Sequence, residues 1–356
     1  MRVAYIFNNS GISGAEEQAS QLIPALKKAG LEVHAVNSLP TGAPKSFCVD
    51  ESENKLEVPL WFPGPGFVEC LNQIKPDIVL QHSMAVDLCR ELIRAKNRLG
   101  FKLGFRAGAN PMENWMVWPV RREAEPYFWY LTHALNNYDF LVAPSAYAKR
   151  ELSFLYPHTK IEVIPVGIDV DLYIPTDYMK DGILKILGAA RHEVNNYFPV
   201  VFNAIRRLKN RYDISMRLLS EGTYFRVYQN VLQRYQITDV VGLTGWVPIH
   251  EKIKAFEVAD VVVIPSITHM GIPVSALEAA AAGSVALVSD LPVYKEATFP
   301  VRLTLDSFTA WYEALKKCIE DRKWAEEKIR QGLREVENYR VEKIAAKYKQ
   351  LFEEVV

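Results

Sequence analysis

The stretch GIPVSALEA combines a turn, a helix start and one acid, an arrangement suited to binding an anion beside a pair of hydroxyls. Gly271 permits close approach of the backbone to a ligand, and Pro273 suits the first turn of a helix. The amides of Ile272, Val274 and Ser275 can then point at an anion, because the first amides of a helix have no acceptor within it. The Ser275 hydroxyl adds one more donor.

Glu278 lies about one turn into the same helix and is the acid of this stretch. A carboxylate in that place can accept hydrogen bonds from two neighbouring hydroxyls. The alternative is an exposed helix acid, but the alanines and valines around Glu278 favour a buried one. Met270 precedes the turn, so an apolar side chain stands where a second acid would serve such a ligand.

Apolar runs of strand type alternate with helical segments in the N-terminal half. The run from Val3 to Phe7 is followed by a Gly-bearing turn and a helix from about Ala15 to Lys28. The run DIVLQHS precedes a helix that continues through Arg98, and KLGFRAG forms a further strand. Such alternation predicts a parallel sheet that is covered on both faces.

The two halves of the chain echo each other. Residues 139–152 and 260–279 both contain an Asp, an apolar strand, Pro-Ser and a helix. Between the halves, prolines, glycines and aspartates interrupt the pattern near residues 168–182, where we place the domain junction. The closing segment YRVEKIAAKYKQLFEEVV has one apolar stripe at helical spacing and needs a surface to cover.

The predicted fold class is α/β, with two Rossmann-like doubly wound domains facing a central cleft. Residues 1–168 form the N-terminal domain and residues 169–335 the C-terminal domain, while residues 336–356 form a helix that packs back on the N-terminal domain. Ligands of open α/β sheets bind at the carboxyl ends of the strands, so both sheets are expected to line one crevice.

Composition narrows the class of protein. The 42 basic residues balance the 42 acidic ones, so no global positive field favours nucleic acid as a partner. The four cysteines form no C-x-x-C pair and no metal-ligand spacing with histidine, which indicates reduced thiols. The start MRVAYIF is too short for the apolar core of a signal peptide, and no apolar run reaches about 18 residues. These features predict a cytoplasmic protein and leave peripheral association with a membrane open.

Several motifs together resemble the retaining glycosyltransferases of the GT-B fold, family 4: IPVGIDVDLY, GLTGWVPIHEKIKAFEVADVVVIPS, GIPVSALEAAAAG and YRVEKIAAKYKQLF. The resemblance begins at SGAEEQASQLIPALKKAGLEVHAV, continues to the C-terminus and is strongest after residue 160. It implies transfer of a sugar from a nucleoside diphosphate to an acceptor, with retention at the anomeric carbon and with no metal or other cofactor. It also implies an N-terminal acceptor domain and a C-terminal donor domain.

The resemblance implies that the loop 271–275 contacts the diphosphate, Glu278 the ribose, and the backbone at Trp246 and Val247 the nucleobase. A core tryptophan at a strand end is the alternative for Trp246. Gly14 lies in the Gly-bearing turn before the first helix. The residues expected at the donor are Gly14, Arg191, Asn196, Gly222, Trp246, Val247, Met270, Gly271, Ile272, Pro273, Val274, Ser275 and Glu278, and those expected in catalysis are His82, Arg106 and Arg191.

Three positions depart from the family pattern. Met270 stands where the family has the first of two acids, which contacts the donor sugar. Asn196 replaces the lysine of an Arg–Lys phosphate clamp whose arginine is Arg191, and Ala107 replaces a histidine near the transferred sugar. Because a charge-assisted hydrogen bond contributes about 1.5 to 3 kcal/mol, these losses require replacement if turnover is to be efficient.

The sequence offers several replacements. His192 and His269 flank the altered positions, and Arg106 stands beside Ala107. His82 ends a neighbouring strand, where it either contacts the sugar or acceptor or is satisfied by local hydrogen bonds. Two interpretations of Met270 stay open, namely a changed sugar pocket and a decayed site that binds a nucleotide sugar without efficient chemistry.

Residues 110–138 are rich in aromatic side chains and contain the basic pair Arg121 and Arg122. This stretch can lie at a membrane interface beside a lipid-linked acceptor, pack into the N-terminal core, or stack against sugar rings. The predicted function is a retaining glycosyltransferase with a glycan, lipid-linked or protein-linked acceptor. The alternatives are a binding or scaffold protein of the same fold and a sugar-nucleotide epimerase of related fold.

Overall fold

The computed structural model describes residues 1–8, 14–39, 55–59, 65–82, 86–108, 133–190, 192 and 195–356. The described chain divides into two compact units. The N-terminal unit comprises Met1–Ile168 and Arg340–Val356, and the C-terminal unit comprises Asp169–Tyr339.

The described part of the N-terminal unit contains a seven-stranded sheet in the order β3-β2-β1-β4-β5-β6-β7. All of its strand pairs are parallel. Its strands are β1 (Arg2–Asn8), β2 (Glu32–Leu39), β3 (Lys55–Pro59), β4 (Ile78–Gln81), β5 (Lys102–Arg106), β6 (Phe140–Ala143) and β7 (Lys160–Val163). Its first helices are α1 (Gly14–Lys28), α2 (Pro65–Ile74), α3 (Val86–Leu99) and α4 (Ala146–Leu155), with a 3-10 helix at Leu135–Asn137.

The described residues of the C-terminal unit contain a six-stranded parallel sheet in the order β10-β9-β8-β11-β12-β13. Its strands are β8 (Leu184–Ala189), β9 (Ile214–Leu219), β10 (Val241–Gly245), β11 (Val261–Ile264), β12 (Val285–Ser289) and β13 (Val301–Leu303). Its helices are α5 (Pro199–Leu208), α6 (Phe225–Tyr235), α7 (Ile249–Glu257), α8 (Val274–Ala281), α9 (Phe308–Glu320) and α10 (Arg322–Val336). Its 3-10 helices are Val170–Leu172, Pro292–Glu296 and Glu337–Tyr339.

Both sheets have the Rossmann strand order, in which the third, second and first strands are followed by the fourth. The prediction of two Rossmann-like α/β domains is therefore confirmed. Strands β4, β6, β11 and β12 are buried along their whole length, which explains why they read as uninterrupted apolar runs.

The last helix, α11 (Val341–Val355), belongs to the N-terminal unit. Its apolar stripe lies in the same buried cluster as residues of β1, α1 and β6. The Lys349 ammonium donates a hydrogen bond to the Ala29 carbonyl at 2.9 Å, just beyond the end of α1. The stripe seen in the sequence thus packs on the first helix and sheet of its own unit.

Candidate functional site

The strand order of the C-terminal unit reverses between β8 and β11, and the loops that follow these two strands are hydrogen-bonded to each other. The Tyr197 amide donates to the Pro265 carbonyl at 2.8 Å, and the Ile267 amide donates to the Asn195 carbonyl at 2.8 Å. Ligands of open α/β sheets bind in the crevice beyond the carboxyl ends of the strands at such a reversal. The fold therefore directs attention to these loops.

The predicted anion loop forms the start of α8. Pro273 is the N-cap residue, and Val274 is the first residue of the helix. The amides of Ala276 and Leu277 donate to the Pro273 carbonyl at 3.0 and 3.2 Å, so the amides before them lie outside the helical ladder. Val274 and Ser275 are partly exposed, whereas Gly271 and the residues between are buried. A row of amides at a partly exposed helix start is a suitable anion site.

Glu278 is fully buried on α8. Its Oε1 accepts a hydrogen bond from the Tyr173 hydroxyl at 2.7 Å and one from the Lys252 ammonium at 2.8 Å. The alternative of an exposed helix acid is therefore wrong, and the burial indicated by the flanking alanines is confirmed. A contact between Glu278 and a ligand stays a prediction.

The positions that depart from the family pattern are occupied by packing residues. Met270 is 2% exposed. Asn196 accepts a hydrogen bond from the Ser266 hydroxyl on its Oδ1 at 3.1 Å, and its carbonyl accepts one from the Tyr228 hydroxyl at 2.6 Å. Asn196 thus joins the loops after β8 and β11. Arg191, the remaining half of the predicted clamp, lies outside the described residues.

The loops after β9 and β10 are also tied together. The Ser220 amide donates to the Gly245 carbonyl at 2.7 Å, and Ser220 has a φ of +86°. A positive φ is uncommon for a residue with a Cβ atom, and strained backbone concentrates at functional sites. Gly222 lies directly against the backbone of His192 in the loop after β8. These contacts bring the predicted residue Gly222 to the same edge of the sheet.

Trp246 follows β10 and is 48% exposed. The alternative of a core tryptophan is therefore wrong. Val247 beside it is partly exposed. An exposed indole at the carboxyl end of a strand also offers a flat surface to a ring. The contact of the Trp246 and Val247 backbone with a nucleobase stays a prediction.

His82 and Arg106 lie at the corresponding edge of the N-terminal sheet. His82 follows β4, and its Nδ1 lies 2.5 Å from the Tyr5 hydroxyl. Its Nε2 contacts the guanidinium of Arg106, the last residue of β5. Burial, with the Arg106 charge, holds the pKa of His82 well below its usual value. Both ring nitrogens therefore have local partners, as the second interpretation of His82 expects, and its role in catalysis stays a prediction.

The remaining predicted features of the N-terminal unit are Ala107, Gly14 and the aromatic stretch 110–138. Ala107 is 1% exposed beyond the end of β5. Gly14 begins α1, and the turn before it lies outside the described residues. Most of the aromatic stretch 110–138 also lies outside the described residues, which include only 133–138 of it. The predicted membrane contact of this stretch stays a prediction. Over the described ranges, no helix is long and apolar enough to cross a bilayer.

Two family models match this chain and together span most of it. Residues 12–172 match Glycosyltransferase Family 4, and residues 179–332 match Glycosyl transferases group 1. The chain belongs to the GT-B glycosyltransferases of the family 4, group 1 type.

The curated relatives of this glycosyltransferase-family chain match only part of it. A protein named as a colanic acid biosynthesis glycosyltransferase, WcaL, from Escherichia coli K12 is 32% identical over 142 residues, which is 38% of this chain and 35% of that protein. Its counterpart from Salmonella typhimurium is 31% identical over 144 residues, which is 38% of this chain and 36% of that protein. The chain thus aligns with well under two thirds of either relative.

Solved glycosyltransferase structures share the fold along the whole chain. Sucrose-phosphate synthase from Thermosynechococcus elongatus is 17% identical, with a TM-score of 0.85 over 99% of this chain and 98% of that one. HepE from Anabaena, in complex with UDP and glucose, is 12% identical, with a TM-score of 0.80 over 99% of this chain and 100% of that one. The pneumococcal O-GlcNAc transferase GtfA, in complex with UDP and GlcNAc, is 11% identical, with a TM-score of 0.74 over 100% of this chain and 99% of that one. At these identities the likeness shows the fold.

Tyr173 and Lys252 contact Glu278 in the candidate site, and neither was predicted from the sequence. Lys252 had a detectable signal, because it lies three and four residues before the buried Ala255 and Phe256 on α7. A lysine on the buried face of a helix usually has a partner. Tyr173 had no such signal, since its contact with Glu278 joins residues that are far apart in the sequence.

The unfolding free energy should depend on pH through His269. Burial of the ring lowers the pKa of His269 to about 4, and the Gly271 amide donates a hydrogen bond to its Nδ1 at 3.4 Å. An unfolded chain therefore binds more protons than the folded one between about pH 6.5 and 4, so acidification destabilises the fold. The variant His269→Gln should lose about 1 to 2 kcal/mol less of its unfolding free energy than the parent protein over this interval. Urea denaturation at a series of pH values measures the difference, and parallel pH profiles would contradict it.

Proposed function

We propose that the protein is a retaining glycosyltransferase that moves a sugar from a nucleoside diphosphate to a glycan, lipid-linked or protein-linked acceptor. The observation that carries the proposal is the placement of the α8 amides and the buried Glu278 beyond the carboxyl ends of β8 and β11. Family membership supports it, as do the fold neighbours HepE and GtfA, whose structures are complexes with UDP.

The proposed donor site has three parts. The amides of Ile272, Val274 and Ser275 receive the diphosphate, because unsatisfied amides and the helix dipole favour negative charge. Glu278 accepts hydrogen bonds from the ribose hydroxyls, as a buried carboxylate can. The exposed Trp246 offers a surface to the nucleobase. In this arrangement the diphosphate lies at the start of α8 and the nucleobase at the end of β10.

The proposed chemistry is substitution at the anomeric carbon on one face of the sugar. The bond from that carbon to the phosphate oxygen breaks, a bond to the acceptor oxygen forms on the same face, and the acceptor proton passes to the leaving phosphate oxygen. We assign Arg191 to the leaving phosphate, and His82 and Arg106 to the transferred sugar or the acceptor. Amides and cations offset the developing phosphate charge, so a metal ion is not required for that task.

A donor panel with transfer assays tests the proposal. The melting temperature of the full chain is recorded with each nucleotide sugar, and the donor with the largest increase is then incubated with a panel of acceptors. We expect a glycosylated product whose anomeric proton coupling in NMR shows the configuration of the donor, with and without EDTA. An inverted product would contradict retention, and loss of activity in EDTA that a metal restores would contradict metal independence.

A catalytically impaired nucleotide-sugar-binding protein is the second candidate. The buried Met270 and the packing contacts of Asn196 favour it, because neither position supplies the charge that the family places there. Calorimetry and transfer assays on the same preparation separate the two candidates. Nucleotide-sugar affinity without turnover for any member of the acceptor panel would support this second candidate.

A further inference from the structure

Lys252 contacts Glu278 and is the more exposed of the two residues. The Glu278 side chain is 1% exposed, whereas the Lys252 side chain is 19% exposed. The ammonium donates to Glu278 Oε1 at 2.8 Å, and it also lies 5.8 Å from the centre of the Phe256 ring. A ligand that approaches Glu278 from the side of Lys252 therefore meets a cation first.

The hydrogen bonds at Glu278 limit how a pair of hydroxyls can bind. Each carboxylate oxygen has two lone-pair sites, and Oε1 already accepts from both Tyr173 and Lys252. A diol that takes one hydrogen bond on each oxygen must displace one of these donors. Tyr173 is buried, and its ring packs edge-on against Phe256 with centroids 6.0 Å apart. Lys252 is the donor that can move, because its ammonium is carried on a flexible four-carbon stem.

The geometry of α8 relates Glu278 to the proposed diphosphate site at the start of the same helix. Glu278 follows Val274, the first residue of α8, by four positions, which corresponds to about 6 Å along the helix axis. The proposed diphosphate site at the helix start therefore lies about one helical turn from the carboxylate that Lys252 contacts. Asn196 occupies the position where the family has a second phosphate-binding cation. Its side-chain oxygen accepts a hydrogen bond from the Ser266 hydroxyl.

We propose that Lys252 is a further donor-binding residue, which neutralises Glu278 in the free protein and turns to the diphosphate when ribose occupies the carboxylate. This inference rests on the proposed function. Its chemical consequence is selectivity for charge, since the lysine favours ligands that bring a phosphate with the ribose and opposes those that bring ribose alone.

The test compares nucleoside diphosphates with their parent nucleosides. Isothermal titration calorimetry measures the Kd of UDP, ADP and GDP and of uridine, adenosine and guanosine for the full chain and for Lys252→Met. For the diphosphate that binds, we expect the Kd to rise about tenfold in the variant, while the nucleoside binds equally well or more tightly. Lys252→Arg should restore most of the diphosphate affinity. Lys254→Met is the matched control, because Lys254 is exposed on the same helix.

The outcomes distinguish the inference from the proposed function. Equal weakening of diphosphate and nucleoside in Lys252→Met would show that Lys252 only orients Glu278 and would overturn the inference, as would unchanged affinity for both. In those cases, loss of diphosphate binding in Glu278→Gln would still support the proposed donor site. If the parent protein binds none of the diphosphates, the proposed function itself fails. Matching far-UV circular dichroism and melting temperatures establish that each variant is folded.

Discussion

Replacing Glu278 by alanine or glutamine should raise the Kd for the nucleoside diphosphate by at least about tenfold, because both variants lose the charged acceptor for the ribose hydroxyls. Glutamine also presents donors where Tyr173 and Lys252 already donate. The same changes should lower the unfolding free energy by about 1 to 3 kcal/mol, since buried hydrogen-bonding groups lose their acceptor.

Calorimetry and urea denaturation measure these two effects. Glu251→Gln is the control, because Glu251 is an exposed acid in the first turn of α7. It should leave both the nucleotide Kd and the stability unchanged. An unaltered Kd in the Glu278 variants would remove this residue from the donor site, and a loss of stability alone would assign it a structural role.

Gly222→Ala should destabilise the C-terminal unit by about 1 to 3 kcal/mol, which is the range for forced overpacking. A Cβ atom at residue 222 would lie 2.4 Å from the carbonyl oxygen of His192 and 2.9 Å from its amide nitrogen. The neighbour is backbone, which cannot turn away as a side chain can, so the loops after β8 and β9 must separate. Because both loops lie at the proposed donor site, nucleotide affinity should fall as well.

Gly242→Ala is the matched control in the same sheet, since an added Cβ atom there meets nothing within 4 Å. Urea denaturation of both variants measures the difference in stability, and calorimetry at a temperature where both are folded measures the affinity. Equal stability of the two variants would show that the approach of residue 222 to His192 is not as close as the structure has it.

Much of the fold could be predicted because buried parallel strands leave a simple pattern. The apolar run from Val3 to Phe7 lies within β1, and the runs DIVLQHS and KLGFRAG contain β4 and β5. The helix predicted from about Ala15 to Lys28 is observed as α1 (Gly14–Lys28), because Gly30 marks its end. The order of the strands could not be predicted in this way, because periodicity does not show which strands are neighbours.

The site was predictable only where local sequence determines the surroundings. Alanines around Glu278 indicated its burial, because they leave a helix face that packs closely. The partners of Glu278 were not predictable, since Tyr173 and Lys252 reach it through the fold. Exposure of Trp246 was likewise undetermined, because a tryptophan at a strand end can face either the core or the ligand.

Hydrogen exchange of the full chain tests most directly whether the C-terminal unit binds the donor. The nucleotide sugar that gives the largest increase in melting temperature is added at saturation, and amide exchange is compared with that of the free protein by mass spectrometry. We expect slower exchange in residues 271–278 and in the loops after β8, β9 and β10. Saturating binding with no protection in these segments, or with protection confined to the N-terminal unit, would contradict it.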